Sequence, residues 1–333
     1  MARCRIYLFT YRRNDLLRRS VKSILDQTFT DWICEVHNDD PADTFPAEYI
    51  KELNDPRFLI KDHKQNMGAV SSFNLAFAGC NEEYVSLLED DNWWENNFLE
   101  EMTTYLDLHP DIKVAFCNMA LWRQTNQNNW EYTGKNNFAE QTGVTVFTWP
   151  QVKQIAGALH SNSALLIRNR NIADHALPGI TLLNAIELVR ERSFPHPIAL
   201  LNKPLANFAI TLHTNRNDNR WDWMVYQTML IASYIETSPN PELAMKNGLA
   251  GHRQKRFSVI PNYFLANLLI LKQAKLYRLL TLADWVVITR WLLKNGTGIK
   301  YCKHYLTEQR AVYEYLVANT RQRFNGSVNS KCS

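Results

Sequence analysis

The stretch Tyr84-Val85-Ser86-Leu87-Leu88-Glu89-Asp90-Asp91-Asn92-Trp93-Trp94 runs from a β-branched and aliphatic segment straight into three consecutive acids and then two tryptophans. Such a run reads as a buried strand that ends in a carboxylate cluster. Adjacent acids repel one another, so gathering them at a strand end suits a divalent cation held by hard oxygen ligands. The bland alternative is a solvated acidic turn that caps the following helix. What surrounds the stretch decides between them.

Upstream, Ile6-Tyr7-Leu8-Phe9-Thr10 reads as a buried strand, after which Asn14 is placed to cap a helix with Leu16, Leu17, Val21, Ile24 and Leu25 on one face. A second strand is expected over residues 32–37, closed by the turn Asn38-Asp39-Asp40-Pro41, and a third over residues 57–60, leading to Asn66-Met67-Gly68. A helix over residues 69–78 then precedes the strand before the acids. This alternation with short links predicts an α/β domain: a mixed, mainly parallel sheet flanked by helices. Ligands of such sheets bind beyond the carboxyl ends of the strands, where Thr10, Asp39 and Glu89-Asp90-Asp91 all fall.

Composition narrows the class. With 333 residues, 46% hydrophobic and 12% aromatic, the chain can bury a sizeable core. A net charge of only +4 argues against a dedicated nucleic-acid binder, although Arg12, Arg13, Arg18, Arg19 and Lys22 form a local basic patch fit for an anionic ligand. The six cysteines show no Cys-x-x-Cys pair, the first residues lack the apolar core of a signal peptide, and no uncharged window reaches the ~18 apolar residues of a membrane span. A reduced, cytoplasmic protein is expected.

Five pieces, taken in order, resemble one family. Leu8-Phe9-Thr10-Tyr11-Arg12-Arg13, the helix continuing to Ser23-Ile24-Leu25-Asp26-Gln27-Thr28-Phe29, the turn Asn38-Asp39-Asp40, the Asn66-Met67-Gly68 loop with Asn74, and Leu88-Glu89-Asp90-Asp91-Asn92 are similar to the family 2 glycosyltransferases of GT-A (Rossmann-like) fold. Pro204-Leu205-Ala206-Asn207-Phe208 leading to His213 resembles the closing strand of that catalytic domain.

The resemblance implies an enzyme that moves a sugar from a nucleoside-diphosphate donor, a UDP-sugar being favoured, to a hydroxyl of a glycan or lipid-linked acceptor. The displacement would be inverting and assisted by Mn²⁺ or Mg²⁺. Asp91 would bind the metal, and Asp90 would contact the ribose or support the metal, Glu89 being a neighbour where the family's DXD motif usually has aspartates. Asp39 would accept a hydrogen bond from the imide nitrogen of the base; Thr10 and Tyr11 would complete the nucleoside pocket; Arg13, Asn66 and Gly68 would lie on the donor. Arg12 stands where an asparagine is usual. His213 would be a further metal ligand or diphosphate contact. For the base, Glu187 is favoured, Asp174 is the runner-up, and Glu191 lies one turn on; Arg190 and Arg192 could equally pair with these acids as a salt-bridged surface.

Trp93, Trp94, Trp122, Trp130 and Tyr132 are candidates for an acceptor platform, since aromatic faces suit the apolar faces of sugars. The polar tract over residues 124–129 reads as a loop or hairpin excursion. Beyond about residue 220 the pattern becomes helical, over residues 262–271, 279–293 and 301–318, with a break at Asn295-Gly296. The expected organisation is a catalytic domain over 1–220, its donor half about 1–118 and its acceptor half about 119–220, with a helical appendage over 221–333. Those helices could pack internally, form a homo-oligomer or lie on an anionic membrane. Two other functions stay open: a non-catalytic nucleotide- or sugar-binding module, and a nucleotidyltransferase. The glycine-rich, lysine-containing loop of the latter is missing from Tyr11-Arg12-Arg13-Asn14.

Overall fold

Strand β1 (Cys4–Thr10), buried almost throughout, is the pivot of the sheet in the computed structural model. The structure describes all residues except 1, 127–128, 140, 171, 213–218, 255–258 and 330–333. Helix α1 (Asn14–Leu25) follows β1 and buries Leu17, Ser20, Val21 and Ile24. Arg13 occupies its cap position and Asn14 is already helical, so the expected asparagine cap is not used. Then come β2 (Trp32–Asn38), α2 (Phe45–Leu53), β3 (Phe58–Asp62), α3 (Ala69–Leu75), β4 (Tyr84–Glu89), β5 (Trp93–Trp94) and α4 (Phe98–Leu108). The first four strands match the expected ones to within a few residues, and the third extends to Asp62.

Strand order in the ten-stranded sheet is β3-β2-β1-β4-β9-β6-β10-β5, where β6 is Val114–Gln124, β9 is Leu165–Arg168 and β10 is Ile198–Ile210. The pairs β1–β2, β1–β4, β2–β3 and β6–β10 are parallel, whereas β9 runs antiparallel between β4 and β6. Successive connections from β1 go to β2 and β3 on one side and to β4 on the other, so the order reverses at β1. That reversal opens the carboxyl ends of β1, β2 and β4 to a ligand. Strand β7 (Trp130–Asn136) pairs antiparallel with β6, and β8 (Val144–Phe147) adds to β10; of the polar tract over 124–129, residues 127–128 lie outside the described residues. Strand β10 is longer than the expected closing strand; register shifts on either side of Pro204 let the sheet continue past a residue that cannot donate to it.

The chain groups into two compact units: Met1–Thr148, His160–Ala176 and Phe194–Asn215 form the sheet unit, and Trp149–Leu159, Leu177–Ser193 and Arg216–Ser333 form the helical unit. Residues 149–159 and 177–193, expected within the first domain, thus join the helical part. That unit contains α5 (Val152–Ala156), α6 (Ile186–Arg190), α7 (Arg220–Thr237), α8 (Pro241–Gln254), α9 (Ile260–Leu265), α10 (Leu282–Asn295), α11 (Gly298–Glu308) and α12 (Arg310–Asn329). Its core gathers Trp149 and Ile155 with Ile231, Ile235, Met245, Leu249, Tyr263 and Ile288. Helix α9 passes into a π-helical turn at Ala266–Leu271, and the expected single helix over 301–318 is two, divided at Gln309.

Candidate functional site

Three loops meet at the carboxyl end of β1. The amide of Asp39, just after β2, donates to the Thr10 carbonyl at 3.0 Å, and the amide of Asp90, just after β4, donates to the Phe9 carbonyl at 3.2 Å. Thr10, Asp39 and Asp90 are all buried. The sheet therefore brings together the positions that the sequence spreads over 80 residues.

The acids are held by arginines rather than left to repel. Arg13 reaches Asp90 Oδ1 at 2.7 Å and Asp91 Oδ2 at 2.6 Å. Asp90 is fully buried while the Asp91 side chain keeps 18% of its exposure, so only the second faces solvent to any extent. Burial pushes the Asp90 carboxyl well above the usual carboxylate range; Arg13 opposes this and the neighbouring Asp91 charge adds to it. The Tyr11 amide also donates to Asp90 Oδ2, at 3.3 Å. Arg12, between them, sits at φ 58°, the left-handed region that costs a side-chain-bearing residue roughly 1–2 kcal/mol. Its guanidinium pairs with Asp40 at 2.6 Å and holds that carboxyl below its ordinary range. The strained residue turns the chain so that Tyr11 and Arg13 both face the acids.

Glu89 is tied inward. Ser163 Oγ donates to Glu89 Oε2 at 2.9 Å, Asn92 Nδ2 donates to the same oxygen at 3.0 Å, and the Asn92 side-chain carbonyl accepts from the Ala209 amide. Arg19 donates to the Asp91 carbonyl at 2.6 Å, with its guanidinium carbon 3.7 Å from the Trp93 ring centre and 4.0 Å from that of Trp130. Burial lowers the proton affinity of Arg19, and the Asp91 charge counters that. Trp93 also packs on Trp122, and Trp122 on Tyr132. Trp93 and Trp130 thus hold a cation between them, and Trp93, Trp122 and Tyr132 pack on one another in turn, while Trp94 is buried against Phe98.

Asp39 is not the residue that closes its own turn. Asn38 Oδ1 accepts from the Asp40 amide and Asp40 Oδ1 from the Ala42 amide, which leaves the Asp39 carboxylate to reach across to His63 Nδ1 (3.0 Å), the Met67 amide (2.7 Å) and the Gly68 amide (3.1 Å). Asn66 Oδ1 accepts from the Gly68 amide at 2.8 Å, and Gly68 at φ +75° makes the bend possible. Asn66 and Gly68 therefore position Asp39, while Tyr11 lies exposed just after Thr10 at the end of β1.

The other predicted residues lie elsewhere. Glu187 is in α6 of the helical unit and half-buried; Asp174 is exposed in the sheet unit; His213 lies outside the described residues. Arg190, Glu191 and Arg192 are buried, which corrects the reading of that segment as a salt-bridged surface. Glu191 accepts from the Leu159 amide at 2.5 Å, a structural task inside its own unit. Two contributors to the site carry no signal in the sequence: Ser163 reaches Glu89 and His63 reaches Asp39 across separations that no local pattern encodes, while Arg19, expected only as part of the basic patch, reaches the Asp91 carbonyl.

The donor set suits a cation that arrives with its ligand. Among the described residues no three His, Cys, Asp or Glu side chains form a ready-made cage. One partly exposed carboxylate, Asp91, matches the way Mg²⁺ and Mn²⁺ are held by one or two carboxylates together with substrate phosphates.

Residues 6–158 match the sequence model of Glycosyl transferase family 2. Over 95 residues the chain is 32% identical to the colanic acid biosynthesis glycosyl transferase candidate WcaA of Escherichia coli (strain K12), a segment covering 28% of this chain and 34% of that protein. It is 26% identical over 113 residues to the UDP-Glc:alpha-D-GlcNAc-diphosphoundecaprenol beta-1,3-glucosyltransferase WfgD of Escherichia coli, covering 34% of this chain and 44% of that one. The matches thus span between a third and a half of the length of these curated relatives. Among solved structures, S. aureus TarS 1–349 in complex with UDP-GlcNAc superposes with a TM-score of 0.59 at 13% identity, over 99% of this chain and 92% of that one. The mannosyltransferase PcManGT from Pyrobaculum calidifontis, in complex with GDP-Man and Mn2+, gives a TM-score of 0.50 at 12% identity, over 96% and 86%. The sheet, its acids at the carboxyl edge and these likenesses together identify residues 6–158 as a glycosyl transferase family 2 region, in a chain with the GT-A fold.

Proposed function

We propose that this protein transfers a glycosyl group from a uridine-diphosphate sugar to a hydroxyl of a glycan or lipid-linked acceptor, with inversion at the anomeric carbon, as a step in polysaccharide assembly. The observation that carries the reading is the convergence of Thr10, Asp39, Asp90 and Asp91 at one sheet edge, where the strand order reverses. The uridine preference draws support from Asp39, whose carboxylate suits the imide N–H of uracil, and from the UDP-GlcNAc bound by TarS. Thr10 and Tyr11 line the nucleoside side, with Asn66 and Gly68 behind Asp39.

Asp91 is the residue to hold Mn²⁺ or Mg²⁺, with His213 as a second protein contact; the Mn2+ complex of PcManGT supports the choice of ion. When bound, such a cation acts as a Lewis acid that stabilises the charge of a departing diphosphate. Asp90, locked by Arg13 and the Tyr11 amide, keeps Asp91 and the β1 loop in register. Glu187 is the candidate base for the acceptor hydroxyl.

Calorimetric titration of UDP, GDP, CDP and dTDP into the protein, with and without Mn²⁺, tests the reading. UDP is expected to bind at least about tenfold more tightly with the metal than without it, a difference of about 1.4 kcal/mol. Absence of binding by any of the four to folded protein would sink it.

Among the described residues no helix is long and apolar enough to cross a membrane. Helix α10 nevertheless exposes Leu282 (87%), Val286 (50%) and Leu293 (84%) along one stripe, with exposed Arg290 and Lys294 on the same helix. This face fits peripheral contact with an anionic lipid surface, which would place a cytoplasmic enzyme beside lipid-linked acceptors. The full chain is expected to sediment with vesicles containing phosphatidylglycerol and to lose most of that association in Leu282→Glu/Leu293→Glu. Equal binding to neutral vesicles, or dimerisation that the double variant abolishes, would assign the face to another role.

A further inference from the structure

We propose that His63 and His37 are positioning residues for base recognition: they fix the Asp39 carboxylate so that a single acceptor direction on Oδ2 remains to read the imide N–H of the nucleobase. The inference rests on the base-reading role proposed for Asp39.

An ionised carboxylate offers about four acceptor directions. Asp39 Oδ1 spends two, on the Met67 amide at 2.7 Å and on His63 Nδ1 at 3.0 Å. Oδ2 spends one, on the Gly68 amide at 3.1 Å. One direction is left, on an oxygen whose place is fixed by two hydrogen bonds to Oδ1 and one to Oδ2 itself.

Behind Asp39 the contacts continue without a gap. His63 Nε2 lies 3.1 Å from His37 Nδ1, and His37 Nε2 lies 3.2 Å from Glu35 Oε2. Arg5 pairs with Glu35 at 2.5 Å and with Glu82 at 2.8 Å, anchoring the far end. The rings cannot turn freely, because His37 stacks on Phe9 with ring centres 5.3 Å apart and on Tyr7 at 5.8 Å.

Three contacts link Glu35, His37, His63 and Asp39, and each needs one ring proton to be a hydrogen bond. Two neutral imidazoles carry two N–H protons, so all three contacts are hydrogen bonds when the pair shares a third, as one cation between two carboxylates. The His37 contact, followed by burial in opposition and by Arg5, holds the Glu35 carboxyl below its ordinary range, as a donating His37 would. A ring N–H on Oδ1 keeps the Asp39 carboxylate aimed. Uracil presents N3–H to the remaining direction of Oδ2, whereas cytosine presents a bare lone pair at the same ring position and is repelled.

The test is the ratio of UDP to CDP affinity in the full chain with Mn²⁺, for the wild type, His63→Phe, His63→Gln and Asp39→Asn. His63→Phe is expected to lower the ratio about tenfold by weakening UDP alone, the loss of one charge-assisted hydrogen bond, and His63→Gln to restore much of it. A ratio unchanged in His63→Phe, or UDP and CDP weakened alike, would overturn the proposal. The underlying reading fails separately: a wild type that does not distinguish UDP from CDP removes the base-reading role of Asp39, whereas a ratio lost in Asp39→Asn but kept in His63→Phe removes only the positioning role. If the phenylalanine variant does not fold, ¹⁵N spectra of the wild-type imidazoles decide. Three protonated nitrogens across the two rings support the shared cation, and two refute it.

Discussion

Asp91→Ala is expected to weaken Mn²⁺-dependent binding of UDP about a hundredfold, or about 2.8 kcal/mol, and to leave the stability of the fold within about 1 kcal/mol of the wild type. Its side chain is 18% exposed and its loss leaves Arg13 still paired with Asp90 at 2.7 Å. Nothing buried becomes orphaned. Asp90→Ala should do the reverse. Asp90 is fully enclosed, so its removal empties a buried position, takes one partner from Arg13 and leaves the Tyr11 amide without its acceptor. A cost of about 2–3 kcal/mol in urea unfolding is expected, the range for breaking a buried charged pair whose other member, the 40% exposed Arg13, can still turn to water and to Asp91. The two variants therefore separate ligand from support. If Asp90→Ala removed the metal dependence while the protein stayed folded, and Asp91→Ala did not, the assignment within the acid cluster would move by one residue.

That experiment addresses what sequence alone left ambiguous. The strand before the acids was legible because its six residues are nearly all buried, and a short stretch of Tyr, Val and two Leu interrupted only by Ser86 before Glu89 has the composition of a buried strand. Thr10, Asp39 and Asp90 were legible because each stands at or just past the end of a strand, and a parallel sheet puts those ends on one edge. Ser163 lies 74 residues from Glu89, and Arg19 lies 72 from Asp91; neither stands in a pattern that points to its partner. The tryptophans were visible as a local excess, but only the folded chain shows that Arg19 fills the space between Trp93 and Trp130. Pro204 concealed the start of β10, since a proline argues against a central strand unless a bulge accommodates it. Charged residues are assumed to be exposed, and that assumption failed for Arg190, Glu191 and Arg192.

Arg192→Ala should be the most destabilising of the substitutions considered, at about 4 kcal/mol, and the reason lies in how the helical unit is assembled. Arg192 belongs to one of the two inserted segments, residues 177–193, and its guanidinium donates to the Ile155 carbonyl of the other, at 3.1 Å. The same nitrogen donates to the Leu230 carbonyl in α7 at 3.1 Å, and its other end reaches Thr320 Oγ1 in α12 at 3.5 Å. The guanidinium carbon lies 4.8 Å from the Trp149 ring centre. Burial lowers its proton affinity and the Glu191 charge raises it, but a guanidinium keeps its proton in either case, so a charge is enclosed with its acceptors around it. Truncation to alanine would empty a large buried volume and leave two carbonyls in separate segments without that donor, and the cavity and hydrogen-bond losses act together. Arg192→Lys keeps the charge but has no planar fork to reach α7, α12 and residue 155 at once, and about half the loss is expected to remain. Arg310→Ala is the control: its side chain is 80% exposed and pairs with Glu314 one turn away, so the change should stay within about 0.5 kcal/mol. Urea unfolding followed by far-ultraviolet circular dichroism, which weights the helices, measures all three. An Arg192→Ala midpoint equal to that of Arg310→Ala would show that the inserted segments are held by the apolar contacts of Trp149 and Ile155 alone, and that the buried guanidinium is tolerated rather than needed.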